Sequence, residues 1–483
     1  MTERDFAADI LARLPFEPNE QQMKVALALA RFCAPANATD YSEERVFILN
    51  GYAGTGKTTL IGALVKSLRD VHIDTLLLAP TGRAAKVFTA SAGTQAYTIH
   101  RKIYKHSLTG SSNFGAAAPP QENKLKNAVF IVDEASMIGS ETETGSNLLT
   151  DLIHFVYSSP GCRLILMGDT AQLPPVGQSD SPAMNPDVLR SYGLKVTRAT
   201  MTEVARQAAM SGILRNATRL RKALALSISA PEGEKPALVP VATHGFNDVS
   251  TVNSEELPEL LDKLYREDGE EETILITRSN LSATEFNQGI RAMVLERDEE
   301  LTKGDLLIAA KNNYYWSKKV KGLDFIANGE VLRLIKVLST ECRYGLTFSD
   351  VLLEPADRPG LEFQAKVVLN ALNGTAVALD YESWQRLYQG VYSDPEFIDP
   401  TTPHELRIRA MRESPYFNAL QVKYAYAVTC HKAQGGQWKN VFVDLSYIPP
   451  EQVGGEFYRW LYTAVTRART HLYFINPPEE LTE

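Results

Sequence analysis

The chain of 483 residues contains only four cysteines: Cys33, Cys162, Cys342 and Cys430. None of them forms a C-x-x-C pair, so the sequence supports neither a disulfide framework nor a cysteine-rich zinc site, and we expect reduced thiols. Long apolar runs are missing as well, because no stretch approaches the roughly 18 residues of a membrane helix. The start, MTERDFAADILARL, is charged and amphipathic and does not resemble a signal peptide. These features predict a cytoplasmic protein without a membrane span.

An excess of positive charge is also missing. The sequence has 50 Lys and Arg against 58 Asp and Glu, which gives a net charge of −8 and a pI near 5.7. This balance argues against a protein that simply coats nucleic acid. Residues 254–272 alone hold nine acidic and two basic residues, so the rest of the chain is close to neutral. A solvated helix face and a loop explain this acidic segment, and the net charge does not exclude a local basic track.

Short apolar runs rich in β-branched residues alternate with helical patterns from residue 46 onward. Runs at 46–50, 74–79, 128–133 and 163–167 indicate buried parallel strands, and runs at 273–277, 440–445 and 471–475 indicate a second set. The alternation predicts an α/β protein with two doubly wound parallel sheets. We place the first unit at 1–185, the second at 186–305 and 421–483, and a β-rich insert domain at 306–420.

Residues 51–58, GYAGTGKT, fit the pattern G-x-x-x-x-G-K-[ST] directly after a predicted strand and before a helical pattern. The glycines let backbone N–H groups close around phosphate oxygens at the positive end of the helix. Lys57 can then reach the β- and γ-phosphates, and Thr58 can ligate Mg²⁺. The pattern predicts an ATP site made of Gly51, Gly54, Thr55, Gly56, Lys57, Thr58 and Thr59.

Polar residues follow two of the other predicted strands. Asp133 closes the third strand and could hold Mg²⁺, while Glu134 could orient and deprotonate the attacking water. Gln172 follows the fourth strand and could hydrogen-bond a γ-phosphate oxygen and sense its loss. Together with Lys57, these side chains predict a nucleotide-hydrolysing site.

An ordered set of segments extends this site across most of the chain. The segments are APTGRAAK (79–86), TIH (98–100), DEASM (133–137), GDTAQLPPV (168–176), TEVARQ (202–207), TCHKAQG (429–435) and YTAVTRAR (462–469). With the phosphate loop, this set resembles subgroup B of the superfamily 1 helicases, the group that contains RecD-type enzymes and the phage Dda helicase. The resemblance implies two RecA-like motor domains with ATP in the cleft between them.

The resemblance also implies roles for residues around the nucleotide. Arg206 and Arg467 would be arginine fingers that reach the γ-phosphate from the second motor domain, so that hydrolysis depends on cleft closure. Gln22 would read the adenine with its amide, although the neighbouring Gln21 could serve instead because Asn19 replaces a frequent threonine.

Further segments resemble the DNA-binding elements of the family. In the first motor domain these are Pro80, Thr81, Arg83, Thr98 and His100, and in the second they are Thr429, His431 and Gln434. By the same analogy a small pin at about 101–126 would split the duplex, with Phe114 as its apolar wedge, and the 306–420 insert would hold a Src-homology-3-like barrel.

Residues 311–321, KNNYYWSKKVK, leave two interpretations open. Four lysines interleaved with three aromatic residues could grip a single strand through phosphate contacts and stacking. A strand with one aromatic face in the core of the β-rich domain explains the pattern equally well.

The resemblance implies an ATP- and Mg²⁺-dependent DNA helicase that moves 5′ to 3′ on single-stranded DNA and acts at duplex junctions, as a monomer. An RNA helicase of the same superfamily is an alternative, because the motifs do not distinguish the 2′-hydroxyl. A second alternative is a binding module whose ATP state controls its grip on DNA without unwinding. A GTPase switch is disfavoured, because no N-K-x-D segment follows the phosphate loop.

Overall fold

The computed structural model describes residues 2–33, 43–104, 121–139, 147–203, 211–229, 238–323, 325–374, 376–396, 398–399, 401–449 and 452–483. Its α-helices are α1 (Glu3–Ala12), α2 (Glu20–Cys33), α3 (Lys57–Asp70), α4 (Gly82–Ala92), α5 (Ile99–Ile103), α6 (Leu148–Tyr157), α7 (Pro186–Ser191), α8 (Gly212–Ser229), α9 (Leu257–Asp268), α10 (Asn280–Gly289), α11 (Tyr381–Tyr392), α12 (His404–Glu413), α13 (Cys430–Ala433) and α14 (Gly455–Val465). Its strands are β1 (Arg45–Gly51), β2 (Thr75–Ala79), β3 (Ala96–Thr98), β4 (Val129–Val132), β5 (Arg163–Gly168), β6 (Lys195–Met201), β7 (Val249–Val252), β8 (Thr273–Thr277), β9 (Leu306–Ala309), β10 (Val331–Arg343), β11 (Leu346–Pro355), β12 (Phe363–Val368), β13 (Leu420–Tyr424), β14 (Ala427–Thr429), β15 (Trp438–Asp444) and β16 (Ala468–Ile475).

Six strands of the described chain form a parallel sheet in the order β3-β2-β4-β5-β1-β6. Along β1, Phe47 and Leu49 join one buried cluster, whereas Val46 and Ile48 join another. Because successive side chains of a strand point to opposite faces, these apolar positions let helices cover both sides of the sheet. The segments that follow β1, β4 and β5 therefore meet at one edge of this first motor unit.

The predicted boundary at residue 185 is wrong. Strand β6 pairs in parallel with β1, from Arg45 opposite Lys195 to Gly51 opposite Met201, so the first motor unit continues through Met201. The strand lies at the edge of the sheet, and all its side chains before Met201 are exposed or half-buried. It therefore lacks the continuous apolar run by which the interior strands were recognised.

The second motor unit has a parallel sheet in which the described residues supply five strands, ordered β14-β8-β15-β16-β7. The predicted strands at 273–277, 440–445 and 471–475 are confirmed as β8, β15 and β16. Helix α14 precedes β16 and is buried on nearly its whole circumference, from Phe457 to Val465. A helix that is apolar all round must pack on several sides, and α14 packs against α8 of its own unit while also facing the first motor unit.

The insert forms a closed barrel in the order β10-β11-β12-β13-β9, as seen in the described residues. Two parallel-sheet units and this barrel confirm the predicted fold class. Strand β13 carries the barrel to Tyr424, beyond the predicted limit at residue 420, and helices α11 and α12 also belong to the insert. Most of the predicted pin, residues 105–120, lies outside the described residues.

A buried ion cluster joins the barrel to the second motor unit. Asp305, at the start of the barrel, is fully buried and accepts hydrogen bonds from Arg291 at 3.0 and 3.1 Å and from Arg297 at 3.0 Å. The hydroxyl of Tyr426, where the chain leaves the barrel, donates to the same carboxylate at 3.3 Å. The entry and the exit of the insert are therefore fixed at one point.

Residues 311–321, all within the described chain, hold turns and one isolated bridge at Asn313 instead of a strand, so the strand interpretation is wrong. Trp316 donates from Nε1 to the carbonyl of Asn418 at 2.8 Å. Tyr314 stacks on Phe325 with ring centroids 5.1 Å apart and is 43% exposed. A grip on single strands by this segment stays a prediction.

Among the described residues, no helix combines the length and the apolar character that crossing a membrane would require.

Candidate nucleotide site and inter-motor cleft

The phosphate loop joins β1 to α3 and has the backbone that its glycines permit. Gly54 and Gly56 have φ angles of 75° and 83°, in the left-handed region that favours glycine. A Cβ atom at Gly56 would lie 2.9 Å from Nε2 of Gln22, so any other residue there would displace the Gln22 amide. Thr58 and Thr59 line the cleft at the first turn of α3, where backbone N–H groups point outward.

Lys57 lies at the start of α3 with its ammonium group turned toward the loop. Its Nζ donates to the carbonyls of Gly51 and Tyr52, the second at 3.2 Å. The same side chain lines the cleft together with Asp133 and Glu134. The cation and the two carboxylates thus share one wall, as the motif spacing predicts.

The two glutamines of α2 face different elements. Gln22 is 2% exposed and donates from Nε2 to the carbonyl of Thr55 at 3.1 Å, while its Oε1 accepts from the amide of Asn19 at 3.0 Å. Gln21 accepts from the amides of Thr202 and Glu203 at 2.8 and 3.1 Å. The structure therefore places Gln22, rather than Gln21, against the phosphate loop.

Asp133 and Glu134 follow β4 at the floor of the cleft. Burial and the neighbouring Glu134 raise the pKa of Asp133 to about 7, although the charge of Lys57 acts in the opposite direction. Glu134 has φ 50° and donates its amide to Oδ1 of Asp133 at 2.8 Å. Such a left-handed backbone is unfavourable for a residue other than glycine and is found mainly at functional sites. The two half-buried carboxylates suit an Mg²⁺ ion and a water nucleophile.

Gln172 enters the cleft from the loop after β5 and is 6% exposed. Its Oε1 has no hydrogen-bond partner among the described residues. Buried polar atoms are nearly always paired, so an unpaired buried oxygen on a residue that lines a cleft fits a site made for a polar ligand. The position agrees with the predicted role beside a γ-phosphate.

The second motor unit completes the cleft with Arg467, which follows α14 and is 3% exposed. Its Nε donates to the carbonyl of Thr463 at 3.0 Å, Nη1 to the carbonyl of Gly436 at 3.2 Å, and Nη2 to Oγ1 of Thr466 at 3.1 Å. Uncharged acceptors hold the guanidinium, so its positive charge remains available to an anion in the cleft. Arg206, the other predicted finger, lies outside the described residues.

The predicted DNA contacts of the first motor unit gather at one sheet edge, after the paired strands β2 and β3. Thr81 and Thr98 cap α4 and α5, accepting from the amides of Ala84 at 3.2 Å and Arg101 at 3.3 Å. His100 is half-buried, which lowers the pKa of its imidazole. Pro80 is half-buried beside Thr81.

Arg83 faces the second motor unit instead. Its guanidinium lies 4.4 Å from the ring centroid of Trp438, and burial lowers the pKa of Arg83 to about 10. The side chain of Arg83 is therefore engaged in the contact between the two units.

The predicted DNA contacts of the second motor unit also divide into accessible residues and one residue in the contact between the units. His431 is exposed and Thr429 is half-buried, on either side of the start of α13. Gln434 is 7% exposed and donates from Nε2 to the carbonyl of Leu173 in the first motor unit, at 2.7 Å. Its amide therefore lies in the inter-motor contact. Phe114 is outside the described residues.

Two family models match the chain in the order of its motor units. The model described as an AAA domain covers residues 35–231, and the UvrD-like helicase C-terminal domain covers residues 424–475. The first match contains the phosphate loop, Asp133, Glu134 and Gln172, and the second contains Arg467. The structure brings these residues into one cleft. In these two regions the chain is similar to AAA domains and to the UvrD-like helicase C-terminal domain.

Relatives of the chain include the ATP-dependent RecD2 DNA helicase of Deinococcus radiodurans, 34% identical over 36% of this chain and 21% of the relative. The ATP-dependent DNA helicase dda of Enterobacteria phage T4 is 25% identical over 62% of this chain and 64% of the relative. The chain therefore spans less than two thirds of these relatives. A crystal structure of Pif1 helicase from Bacteroides with ADP-AlF3 and single-stranded DNA covers 96% of this chain and 94% of that chain, with 15% identity and a TM-score of 0.45.

Sequence reasoning gave no role to several residues of this cleft. Asp169, Tyr462 and Thr466 stand inside segments that carry the family resemblance, yet their types alone did not indicate a contact. Thr466 lines the cleft, and Asp169 and Tyr462 bond to each other across the two motor units at 2.5 Å. Gln437 also lines the cleft and lies just outside the recognised segment at 429–435.

Proposed function

We propose that the chain is an ATP-dependent DNA helicase that translocates 5′ to 3′ on single-stranded DNA and separates duplexes at junctions. The observation that carries the proposal is the composite cleft, in which Lys57, Glu134 and Gln172 of one motor unit face Arg467 of the other. Because the site is complete only when both units meet, hydrolysis can be coupled to their relative movement. The polarity is the one that the subgroup B resemblance implies.

Each cleft residue has a chemical task in this proposal. Lys57 and the loop amides bind the phosphates, and Glu134 orients the attacking water and accepts its proton. Gln172 hydrogen-bonds the γ-phosphate, while Arg467, with Arg206 as the second finger, stabilises the charge that develops on it. Mg²⁺ held by Thr58 and Asp133 would neutralise charge on the β- and γ-phosphates. Gln22 contributes to nucleotide binding beside the loop.

The DNA track is proposed to cross the sheet edges of both units. Pro80, Thr81, Thr98 and His100 would contact the strand in the first unit, and Thr429 and His431 in the second. Arg83 and Gln434 have a different role in this proposal, because their contacts hold the two units together. Phe114 is proposed as the wedge that meets the duplex. We further propose that the protein acts as a monomer in the cytoplasm.

The test compares ATP hydrolysis and strand separation on duplexes with 5′ or 3′ single-stranded tails, in DNA and in RNA. The wild-type chain should be stimulated by single-stranded DNA and unwind only the 5′-tailed DNA. Lys57→Ala should abolish both activities, because it removes the ammonium that binds the phosphates.

Three results would contradict the proposal. Unwinding from 3′ tails alone would overturn the polarity, and equal activity on RNA would indicate an RNA helicase. ATP-dependent binding of single strands without strand separation would indicate a nucleotide-switched binding module.

A further inference from the structure

Helix α14 carries side chains that reach the first motor unit as well as its own. Tyr462 is 1% exposed, and its hydroxyl donates to Oδ2 of Asp169 at 2.5 Å. The same hydroxyl accepts from the amide of Ala53, in the phosphate loop, at 3.0 Å. One side chain of the second motor unit thus bonds two separate elements of the first.

The segment after β5 is held by further side chains of the second motor unit. Thr463 Oγ1 accepts from the amide of Leu173 at 2.9 Å, and Arg459 Nη1 donates to the carbonyl of Thr170 at 2.8 Å. Asp169 itself accepts from the amide of Ala171 at 3.0 Å, which closes the turn that presents Gln172. The position of Gln172 therefore depends on contacts with α14.

Tyr462 differs from Thr463 and Arg459 in also bonding the phosphate loop. Its hydroxyl stays protonated, because burial and the charge of Asp169 raise the pKa of Tyr462 well above its ordinary value. A protonated hydroxyl can donate to the carboxylate and accept from the amide at the same time. Both bonds are satisfied in the arrangement that the structure shows.

Tyr462 also stands close in sequence to the arginine finger. Arg467 donates to the carbonyl of Thr463, the residue after Tyr462, at 3.0 Å. A rigid movement of α14 would therefore shift the tyrosine hydroxyl and the guanidinium together. The phosphate loop, Gln172 and Arg467 would reach their places in one closing movement.

We propose that the Tyr462 hydroxyl is a positioning group for ATP hydrolysis that aligns the phosphate loop and the Gln172 turn with the arginine finger when the motor units close. The proposal deepens the proposed function and rests on it. It assigns to Tyr462 an effect on turnover rather than on nucleotide affinity, because Tyr462 engages only the Ala53 amide of the loop, and Lys57 and the other loop amides bind the phosphates without it.

Tyr462→Phe removes the hydroxyl and keeps the ring. Tyr458→Phe is the matched control, because Tyr458 lies one turn earlier on α14, is fully buried and accepts from the amide of Val239 in its own unit at 3.2 Å. We expect Tyr462→Phe to lower kcat of ATP hydrolysis about tenfold, as loss of a hydrogen bond to a charged group implies. KM for ATP should stay within about twofold, and Tyr458→Phe should match the wild type in both constants.

A double-mutant cycle with Asp169→Asn separates positioning from general destabilisation. If the two side chains act through their shared bond, the double variant should be no more than about twofold slower than the slower single variant. Multiplying defects, or a kcat of Tyr462→Phe equal to that of Tyr458→Phe, would overturn the proposal. Thermal unfolding identifies variants that lose the fold.

The rates are measured with and without single-stranded oligothymidylate. Absence of DNA stimulation in the wild type would refute the proposed function, while the comparison of Tyr462→Phe with Tyr458→Phe on unstimulated hydrolysis would still test the positioning role. A wild-type chain that hydrolyses no ATP would overturn both.

Discussion

Individual side chains in the cleft are held chiefly by uncharged atoms. Lys57 and Arg467 donate to backbone carbonyls and a hydroxyl, and Gln22 bonds only backbone groups of Asn19 and Thr55. Carbonyl dipoles fix a cation without cancelling its charge, so both cations keep their attraction for phosphate oxygens. Gln172 lines the same cleft, and its buried Oε1 has no hydrogen-bond partner in the part of the chain that the structure describes. The residues are thus arranged to interact with an anionic ligand.

Arg467→Ala should lower kcat of DNA-stimulated ATP hydrolysis by about 10³-fold, because arginine fingers contribute at least this factor to phosphoryl transfer. Affinity for a fluorescent ADP analogue should change less than about threefold, since ADP lacks the γ-phosphate. Arg469→Ala is the control, as Arg469 is half-exposed and pairs with Glu272. Equal kcat values for the two variants would remove Arg467 from the catalytic set.

At the scale of elements, the connections of the chain determine which units move together. The barrel is attached to the second motor unit where β9 begins and β13 ends, and the cluster around Asp305 joins both points. Arg291 and Asp305 are 7% and 0% exposed as side chains, and Arg297 is 13% exposed. A buried carboxylate with two guanidinium partners is costly to disturb, because removing it leaves buried cations uncompensated. The barrel should therefore move with the second motor unit.

Asp305→Asn should lower the free energy of unfolding by about 3 kcal/mol, the loss typical of breaking a buried ion pair from one side. Urea unfolding followed by fluorescence measures the change. Asp187→Asn serves as the comparison, because Asp187 is 88% exposed in its pair with Arg190 and its replacement should leave the midpoint unchanged. A loss under about 1 kcal/mol for Asp305→Asn would show that the junction is not held by charge.

At the scale of the whole molecule, the two motor units contact each other on both sides of the nucleotide cleft. Tyr462 and Thr463 bond the first unit on one side, and Arg83 stacks on Trp438 on the other. A guanidinium held over an indole ring is stabilised by the electrostatic attraction between them. Two residue positions that the family resemblance connects with DNA, Arg83 and Gln434, thus lie in the contact between units.

Arg83→Ala should slow unwinding, because the side chain of Arg83 is engaged by Trp438 in the contact between the units. For the same reason, it should not change the slope of the logarithm of the binding constant for single-stranded DNA against the logarithm of the salt concentration. Each lost phosphate contact would reduce that slope by about one. Lys86→Ala is the control on the same helix, since Lys86 is exposed and pairs with Asp357 of the insert at 3.8 Å. A reduced slope for Arg83→Ala would make Arg83 a DNA contact.

The sequence predicted interior elements well and edge elements poorly. Strands such as β1 and β8 are recognisable because both faces are buried and their central positions are all apolar. The apolar pattern does not reveal strand β6, because much of an edge strand faces solvent. The pattern of residues 311–321 is ambiguous, because aromatic residues suit both a strand and a packed turn. Phe114 and Arg206 lie in the ranges 105–120 and 204–210, outside the described residues, so their roles stay predictions.

The sequence by itself determined the local chemistry of this protein. A phosphate loop is recognisable because its glycines, lysine and threonine must occupy adjacent positions on one turn, and Asp133 and Glu134 must follow a strand. Only the tertiary structure decided which distant side chains meet, such as Tyr462 with Asp169 and Ala53, or Arg83 with Trp438. These contacts depend on how the two sheets pack against each other, and that packing brings together residues that are far apart in the sequence, so no local pattern encodes it.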